Sequence, residues 1–294
     1  MQVIDTVAGM RLAREAMSGP VGLVPTMGFL HEGHLALVRR ARGENDHVVV
    51  SIFVNPTQFG PEEDFDRYPR NVDRDLELLR NEEVDVVFAP STAEIYPPDF
   101  DEWVELQGPL VDRLEGESRP GFFRGVCTVV ARLFAFVQPH RAYFGQKDAQ
   151  QLRVIRQMVR ELGLGVEVVP SPIVREPDGL AMSSRNAYLS PGERRHALAL
   201  SRSLAEARRL VAGGVTDAAE LRSRVRQIIE AEPGIGIDYV SISDEETLEE
   251  LPTIDRPALL LLAARVGRAR LIDNTVLVPP GIEPDPVLAA LIEA

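Results

Sequence analysis

Residues 22–38 read GLVPTMGFLHEGHLALV. The apolar run Val21–Val24 opens the stretch. The chain then turns through Pro25, Thr26, Met27 and Gly28, and takes up a helical pattern with Leu35, Val38 and Ala41 on one side. A strand that passes through a glycine turn into a helix is where open α/β sheets bind their ligands. The start of such a helix offers unpaired backbone N–H groups and the positive end of its dipole, which suits an anion. His31 and His34 stand three apart, share a helix face, and add donors that titrate near neutral pH. Gly33 between them leaves room for a flat ligand against the backbone.

Other readings of these residues are weaker. H-E-x-H lacks the four-residue histidine spacing of the metalloprotease helix, and no Cys/His cluster supplies further zinc ligands. Gly28 and Gly33 have P-loop spacing, but His34 stands where that motif needs Lys. A pair of surface or capping histidines is the plain alternative. The company of Thr26, Gly28 and Gly33 favours phosphate handling.

The bulk of the chain narrows the field. Its 294 residues suffice for a sizeable core and two domains. With 32 basic and 45 acidic residues the net charge is −13, which argues against broad nucleic-acid binding. An anionic small molecule in a local basic pocket remains compatible with that charge. Cys127 is the only cysteine, so no intrachain disulfide can form, which fits a reducing, cytoplasmic setting. No apolar run reaches membrane-span length, and the first fifteen residues lack the apolar core of a signal peptide.

Working outward, Val48–Val54 is a continuous β-branched run of the kind buried in a parallel sheet. It ends at Asn55-Pro56-Thr57-Gln58, which places two neutral amides, Asn55 and Gln58, beyond a strand's carboxyl end. Asn71 can cap a helix to about Leu79, Asp85–Ala89 reads as a strand, and a short strand is predicted around Trp103–Leu106. Arg119 and Arg124 lie in the glycine-rich stretch 116–125, where they suit phosphate or carboxylate contact. A core-facing helix stripe follows over Val126–Val137. The strand Ala142–Phe144 leads at once into Gly145-Gln146-Lys147-Asp148, so Lys147 marks a second anion site before a helix that Asp148 can cap. After a strand at Val166–Val169 comes Met182-Ser183-Ser184-Arg185, two hydroxyls and a guanidinium that can bracket a phosphate chain. Ser190 and Glu193 form a capping box for a long helix to about Ala212. A second helix and three strands complete the chain.

Alternation of strand and helix predicts an α/β fold, a Rossmann-like doubly wound parallel sheet over residues 1–172. Helices followed by strands predict a second, smaller α+β domain over 173–294, carrying the MSSR loop. G-x-G-x-x-G and G-x-S-x-G are both missing, so dinucleotide-type and hydrolase-triad readings find no support.

PTMGFLHEGH, SIFVNPTQF, RPGFFRGVCTVV, YFGQKDAQQL and DGLAMSSRN, in this order between about residues 20 and 195, resemble the signature segments of the pantoate–β-alanine ligase family. LIDN at 271–274 resembles its closing segment. His31-Glu32-Gly33-His34 is similar to the HIGH motif of adenylate-forming nucleotidyltransferases, and Met182–Arg185 to the counterpart of their KMSKS loop. The resemblance implies an ATP-dependent ligase using Mg2+. Pantoate attacks the α-phosphate of ATP to give pantoyl adenylate and pyrophosphate. The β-alanine amine then displaces AMP to form pantothenate. It implies ATP contacts from Met27, Gly28, Phe29, Leu30, His31, Glu32, Gly33 and His34, with His34 the proton donor and His31 beside it. Gly145, Gln146, Lys147, Asp148, Val174, Met182, Ser183, Ser184 and Arg185 would also hold the nucleotide, with Lys147 and Arg185 neutralising phosphate charge. Gln58 would grip pantoate and β-alanine, Gln151 pantoate, and Asn55 lies with them. Family members are commonly homodimers.

Two departures stand out: many relatives carry Glu where this chain has Gln146, and an aromatic residue where it has Ala149. The tail after Val278 has no clear counterpart. A nucleotidyltransferase acting on a phosphorylated acceptor would use the same HIGH-like site but would not need Gln58 and Gln151. A non-catalytic adenylate-binding regulator would be expected to lack His34, Lys147 or Arg185, and all three are present. A tRNA-charging enzyme is disfavoured by the charge.

Overall fold

The computed structural model describes residues 1–61 and 63–292. The chain divides into two compact units, one of residues 1–144 with 151–170, the other of residues 145–150 with those from 171 onward.

The first unit carries strands β1 (Gln2–Ile4), β2 (Val21–Thr26), β3 (His47–Ile52) and β4 (Val86–Phe88), with helices α1 (Val7–Glu15), α2 (Glu32–Glu44) and α3 (Val72–Asn81) between them. Three short helical turns follow, α4 (Thr92–Ile95), α5 (Pro109–Asp112) and α6 (Glu115–Ser118), and then α7 (Phe122–Val137), β5 (Arg141–Gly145), α8 (Ala149–Glu161) and β6 (Glu167–Ser171). The six strands form one sheet in the order β1-β4-β3-β2-β5-β6. The pairs β1–β4, β4–β3, β3–β2 and β2–β5 are all parallel. From β2 the chain steps outward through β3 and β4, then returns to the other side for β5, so the order reverses beside β2. Such a switch point leaves a crevice at the carboxyl ends of the strands.

Both faces of the sheet are apolar because both are covered. Val21, Leu23, Val49, Val86 and Phe88 point to one side, among Met10 of α1, Val130 and Phe134 of α7, and Leu152 and Ile155 of α8. Val24, Val48, Val50 and Val87 point to the other, among Leu35, Val38 and Ala41 of α2 and Leu79 of α3. Each such fully buried aliphatic side chain stabilises the fold by roughly 1.5–3 kcal/mol. The expected α/β sheet is therefore present.

Two details differ from the sequence reading. Residues 103–106 form no strand: the Val104 N–H donates to the Thr128 hydroxyl of α7 at 3.0 Å instead of to a neighbouring strand. β1, too short and exposed to show a pattern, is an edge strand paired with β4.

The second unit is an antiparallel sheet, β7 (Ile235–Asp244), β8 (Ala258–Val266) and β9 (Ala269–Leu277), in sequential order. Helices α9 (Pro191–Ala212) and α10 (Ala218–Glu230) supply Leu200, Leu204, Leu221 and Val225 to a core shared with Val240, Ile242, Leu260 and Leu262. The Ser190–Glu193 capping box starts α9 as its sequence predicts. A last helix, α11 (Pro286–Ile292), follows the sheet. Residues 145–150 group with this unit, whereas sequence alternation placed them in the first. The contacts of Asn274 described below give the reason.

Candidate active site

The glycine turn after β2 is held from beneath. The Thr26 hydroxyl donates to the Ser51 carbonyl at 2.8 Å and accepts the Gly28 N–H at 3.1 Å. Gly28 and Phe29 then take positive φ angles of 77° and 50°. A Cβ at Gly28 would lie 3.0 Å from Ile52 and 3.1 Å from the Asp75 carboxylate, so the turn needs glycine for space as well as for conformation. Asp75 of α3, 1% exposed, accepts the Phe29 N–H at 2.7 Å and the Leu30 N–H at 2.8 Å. Its neighbour Arg74 donates to the Leu30 carbonyl at 2.8 Å. These bonds fix the loop in its left-handed bend. They also mean that two backbone donors of the turn are already committed to a carboxylate. Burial pushes the Asp75 carboxyl above the usual range, outweighing the two N–H groups and Arg74.

Helix α2 begins directly afterwards, with His31 as its extended N-terminal cap. The His31 N–H approaches His34 Nδ1 at 3.4 Å, and the two rings stack at 4.0 Å. A ring that accepts at Nδ1 carries its neutral-state proton on Nε2. His34 therefore carries an Nε2–H donor at a helix start. The Glu32 side chain is exposed and pairs with Arg39, so only its backbone belongs to this loop's interior.

After β3 the chain forms a single 3-10 turn, Pro56–Gln58. Asn55 caps it and is 1% exposed. Its Oδ1 accepts the Thr57 hydroxyl at 2.9 Å and the Tyr96 hydroxyl at 2.8 Å. Its Nδ2 donates to the Gly125 carbonyl and to Gln58 Oε1, both at 3.1 Å. Gln58 Nε2 in turn donates to the Met27 sulfur at 2.9 Å. Met27, Asn55 and Gln58 are thus brought together, with Gln58 half-buried and Asn55 engaged on both ends of its amide. Gly125 permits this approach, because a Cβ there would sit 2.3 Å from the Thr57 carbonyl oxygen.

Arg119, predicted to suit an anionic ligand, instead forms a two-bond pair with Glu63 at 2.6 and 2.7 Å and donates to the Gln58 carbonyl at 2.9 Å. Arg124 lies over the Trp103 ring at 4.7 Å. Both arginines brace the amide cluster's surroundings. Gln151 lies half-buried in the first turn of α8.

In the second unit, Gln146–Asp148 form a 3-10 turn between β5 and α8. Lys147 is half-buried, its Nζ 3.5 Å from the Asp148 carboxylate. Asn274 of β9, 2% exposed, donates to the carbonyls of Gln146 at 2.9 Å and Lys147 at 3.0 Å, and accepts Gln146 Nε2 at 3.1 Å. The adjacent Asp273 grips the Arg175 guanidinium at 2.7 and 3.0 Å. Arg175 opens a hairpin closed by the Met182 N–H to the Val174 carbonyl at 3.0 Å and by pairing of Arg175 with Ala181. Ser183 then caps the 3-10 turn Ser184–Tyr188, accepting the Arg185 N–H at 3.3 Å. Asn186 pins this turn through Glu176 at 2.8 Å and the Ala181 carbonyl at 3.0 Å. Met182, Ser183 and Arg185 are half-buried, while Ser184 is buried.

Sequence reasoning missed Asp75, Asp273 and Asn274 as supports. The signal for Asp75 was an acidic residue one turn before core Leu79 on the buried stripe of α3. For Asp273 and Asn274 it was two adjacent polar residues following Leu271 and Ile272 in mid-strand. Among the described residues no group of three or more His, Cys, Asp or Glu is placed to hold a metal ion. No described helix is long and apolar enough to cross a membrane.

A family model described as pantoate-beta-alanine ligase matches residues 2–276. The chain belongs to the pantoate–β-alanine ligase family. The pantothenate synthetase of Roseiflexus sp. (strain RS-1) is 59% identical over 277 residues, covering 94% of this chain and 99% of that one. The enzyme of Thermotoga neapolitana is 58% identical over 280 residues, covering 94% and 100%. The crystal structure of pantothenate synthetase from Thermus thermophilus superposes with a TM-score of 0.91 at 51% identity, covering 95% and 100%. That of pantoate-beta-alanine ligase from Francisella tularensis, complexed with beta-gamma ATP and beta-alanine, gives 0.78 at 33%, covering 94% and 97%. The chain is a ligase that joins pantoate to β-alanine. The segments that carried the resemblance, from PTMGFLHEGH to LIDN, all fall within the matched residues of this ligase, and α11 lies beyond them.

Proposed function

We propose that this ligase works through pantoyl adenylate, on the supports described above. The pantoate carboxylate oxygen attacks the α-phosphorus of Mg-ATP, and the bond to the bridging oxygen breaks to release pyrophosphate. The β-alanine amine then attacks the acyl carbonyl, the acyl C–O bond breaks, AMP leaves, and the amine loses a proton. A free carboxylate is a poor acyl donor; the mixed anhydride gives it a good leaving group.

The observation that carries this reading is His34 in the first turn of α2, its Nδ1 3.4 Å from the His31 N–H, which leaves Nε2 as the ring's donor when the imidazole is neutral. A donor so placed meets phosphate charge as it builds in the transition state. Met27–His34 bind ATP along the bent backbone that Asp75 holds, with the His31 ring stacked on His34 to keep its orientation. Lys147 and Arg185 neutralise phosphate oxygens, and Ser183 and Ser184 donate hydroxyls to them. Gly145–Asp148, Val174 and Met182 hold the nucleotide. Gln58 binds pantoate and β-alanine and Gln151 binds pantoate, while Asn55 acts through Gln58. Magnesium arrives with ATP as part of the substrate. Little covalent work falls to the protein, so positioning supplies most of the rate. The ATP and β-alanine named for the Francisella tularensis structure support these ligand assignments. We assign the chain to the cytoplasm, as a homodimer acting on small molecules.

The test is pantoate-dependent exchange of pyrophosphate into ATP without β-alanine. Exchange should require pantoate, and AMP should appear only when β-alanine is added. His34→Ala should lower exchange by about 10²–10⁴-fold with the fold intact. Exchange without pantoate, or an unchanged rate in the variant, would contradict the assignment.

A further inference from the structure

We propose that Asp273 and Asn274, adjacent on β9, are positioning residues that preset the Lys147 turn and the hairpin leading to Arg185. The inference rests on the reading that Lys147 and Arg185 contact ATP, and adds what places them.

The two side chains divide the task. Asn274 has one amide and spends it on one turn: Nδ2 bridges the carbonyls of Gln146 and Lys147, and Oδ1 accepts from Gln146 Nε2. Three bonds on two consecutive residues leave the backbone from which Lys147 springs little freedom. Asp273 works the other way. Its carboxylate takes both forks of Arg175, and Arg175 also donates to the Gly179 carbonyl at 3.2 Å, across the hairpin that ends at Met182. Asp273 Oδ1 further accepts the Asn274 N–H at 2.8 Å, so the two anchors are tied to each other. Both are almost fully buried in β9, a strand paired along its length with β8. A lysine and an arginine have long, flexible side chains. Fixing the backbone beneath them lowers the ordering cost of meeting a phosphate chain.

Gln146 gains a specific meaning. It is 1% exposed, and its Nε2–H is a hydrogen-bond donor to Asn274 Oδ1. A carboxylate in its place would set oxygen against oxygen. Relieving that would take either a proton on the new carboxyl or a turn of the Asn274 amide, and the turn would lose both carbonyl bonds. The amide at 146 and the amide at 274 thus form a matched pair in this chain.

The experiment compares wild type with Asn274→Ala, Asp273→Asn and Gln146→Glu in pantoate-dependent pyrophosphate exchange, with ATP binding measured separately by calorimetry. Asn274→Ala removes the donors to the Gln146 and Lys147 carbonyls and should raise the KM for ATP by roughly tenfold or more, with the KM for pantoate changed less than about twofold. Gln146→Glu should shift the same parameter in the same direction. In a Lys147→Ala background, Asn274→Ala should add little, because its effect runs through Lys147. Full additivity, or equal loss for both substrates, would assign these residues to general packing and overturn the proposal. So would unchanged ATP parameters in the folded variants. Should Asn274→Ala not fold, Gln146→Glu and the Asp273→Asn hairpin variant are read by the same criteria. Wild type that binds ATP but shows no exchange would instead remove the adenylate reading.

Discussion

Two buried carboxylates stand beneath the loops that matter, and they are satisfied in opposite ways. Asp75 in the first unit accepts two backbone N–H groups, with the half-exposed Arg74 near it at 3.7 Å. Asp273 in the second accepts a guanidinium through two bonds. The first arrangement shapes backbone: it forces Gly28 and Phe29 into left-handed angles and delivers His34 at a helix start. The second shapes a hairpin through side chains, and leaves the loop's own backbone in ordinary hydrogen bonds. At Asp75, burial outweighs the two N–H groups and the more distant Arg74 and pushes the carboxyl above its usual range.

The largest effect should follow from Asp75→Ala. It strands two backbone donors beneath the histidine loop, each costing roughly 1–3 kcal/mol, and the displaced loop should lose about a hundredfold in exchange rate. Urea unfolding and the exchange assay read the two quantities. A folded variant with unchanged exchange would break the comparison, since the bend would then not depend on its carboxylate. Gly125→Ala comes next. Its Cβ, 2.3 Å from the Thr57 carbonyl, must push α7 off the amide turn. A stability loss of about 1–3 kcal/mol is expected, with the KM for pantoate raised more than that for ATP. A larger effect on ATP would move Gln58 out of its assigned role.

The smallest effect is a pH dependence of opposite sign at two carboxylates. Asp75 is held above its usual range, so the folded state binds its proton more tightly than the unfolded chain does. Its contribution therefore becomes less favourable as pH rises through its folded value. Glu176 is half-buried, which alone would raise its carboxyl, but the hydrogen bonds of Arg194 and Asn186 outweigh that and hold it below 4.5. Its stabilisation is full above 4.5 and is lost as pH falls through its lower folded value. Comparing the stability–pH slopes of Asp75→Asn and Glu176→Gln with wild type below neutrality should give changes of opposite sign. Changes of the same sign would contradict the contrast.

The sequence was most legible where chemistry and pattern coincide. Runs rich in β-branched residues such as Val48–Ile52 announce a sheet covered on both faces, and the Ser190–Glu193 box announces α9 to the residue. The histidine loop, the Gln58 turn and the MSSR stretch could be read because each follows a recognisable strand or precedes a helix. What stayed hidden were long-range partners. Nothing local links Asp75 to Phe29, 46 residues away, or Asn274 to Gln146, 128 away. Arg119 misled for the same reason: an arginine in a glycine loop suits an anion, and the anion proved to be Glu63 of the same chain. The strand predicted near Trp103 failed because apolar alternation does not supply an edge to pair with.

The most direct measurement follows oxygen. Pantoate labelled with 18O in both carboxylate oxygens, turned over with ATP and β-alanine, should leave one label on AMP and one in the amide carbonyl of pantothenate. That pattern is required if the carboxylate attacks the α-phosphorus and the amine then breaks the acyl C–O bond. Unlabelled AMP, or label in inorganic phosphate, would contradict the adenylate and with it the roles given to His34, Lys147 and Arg185.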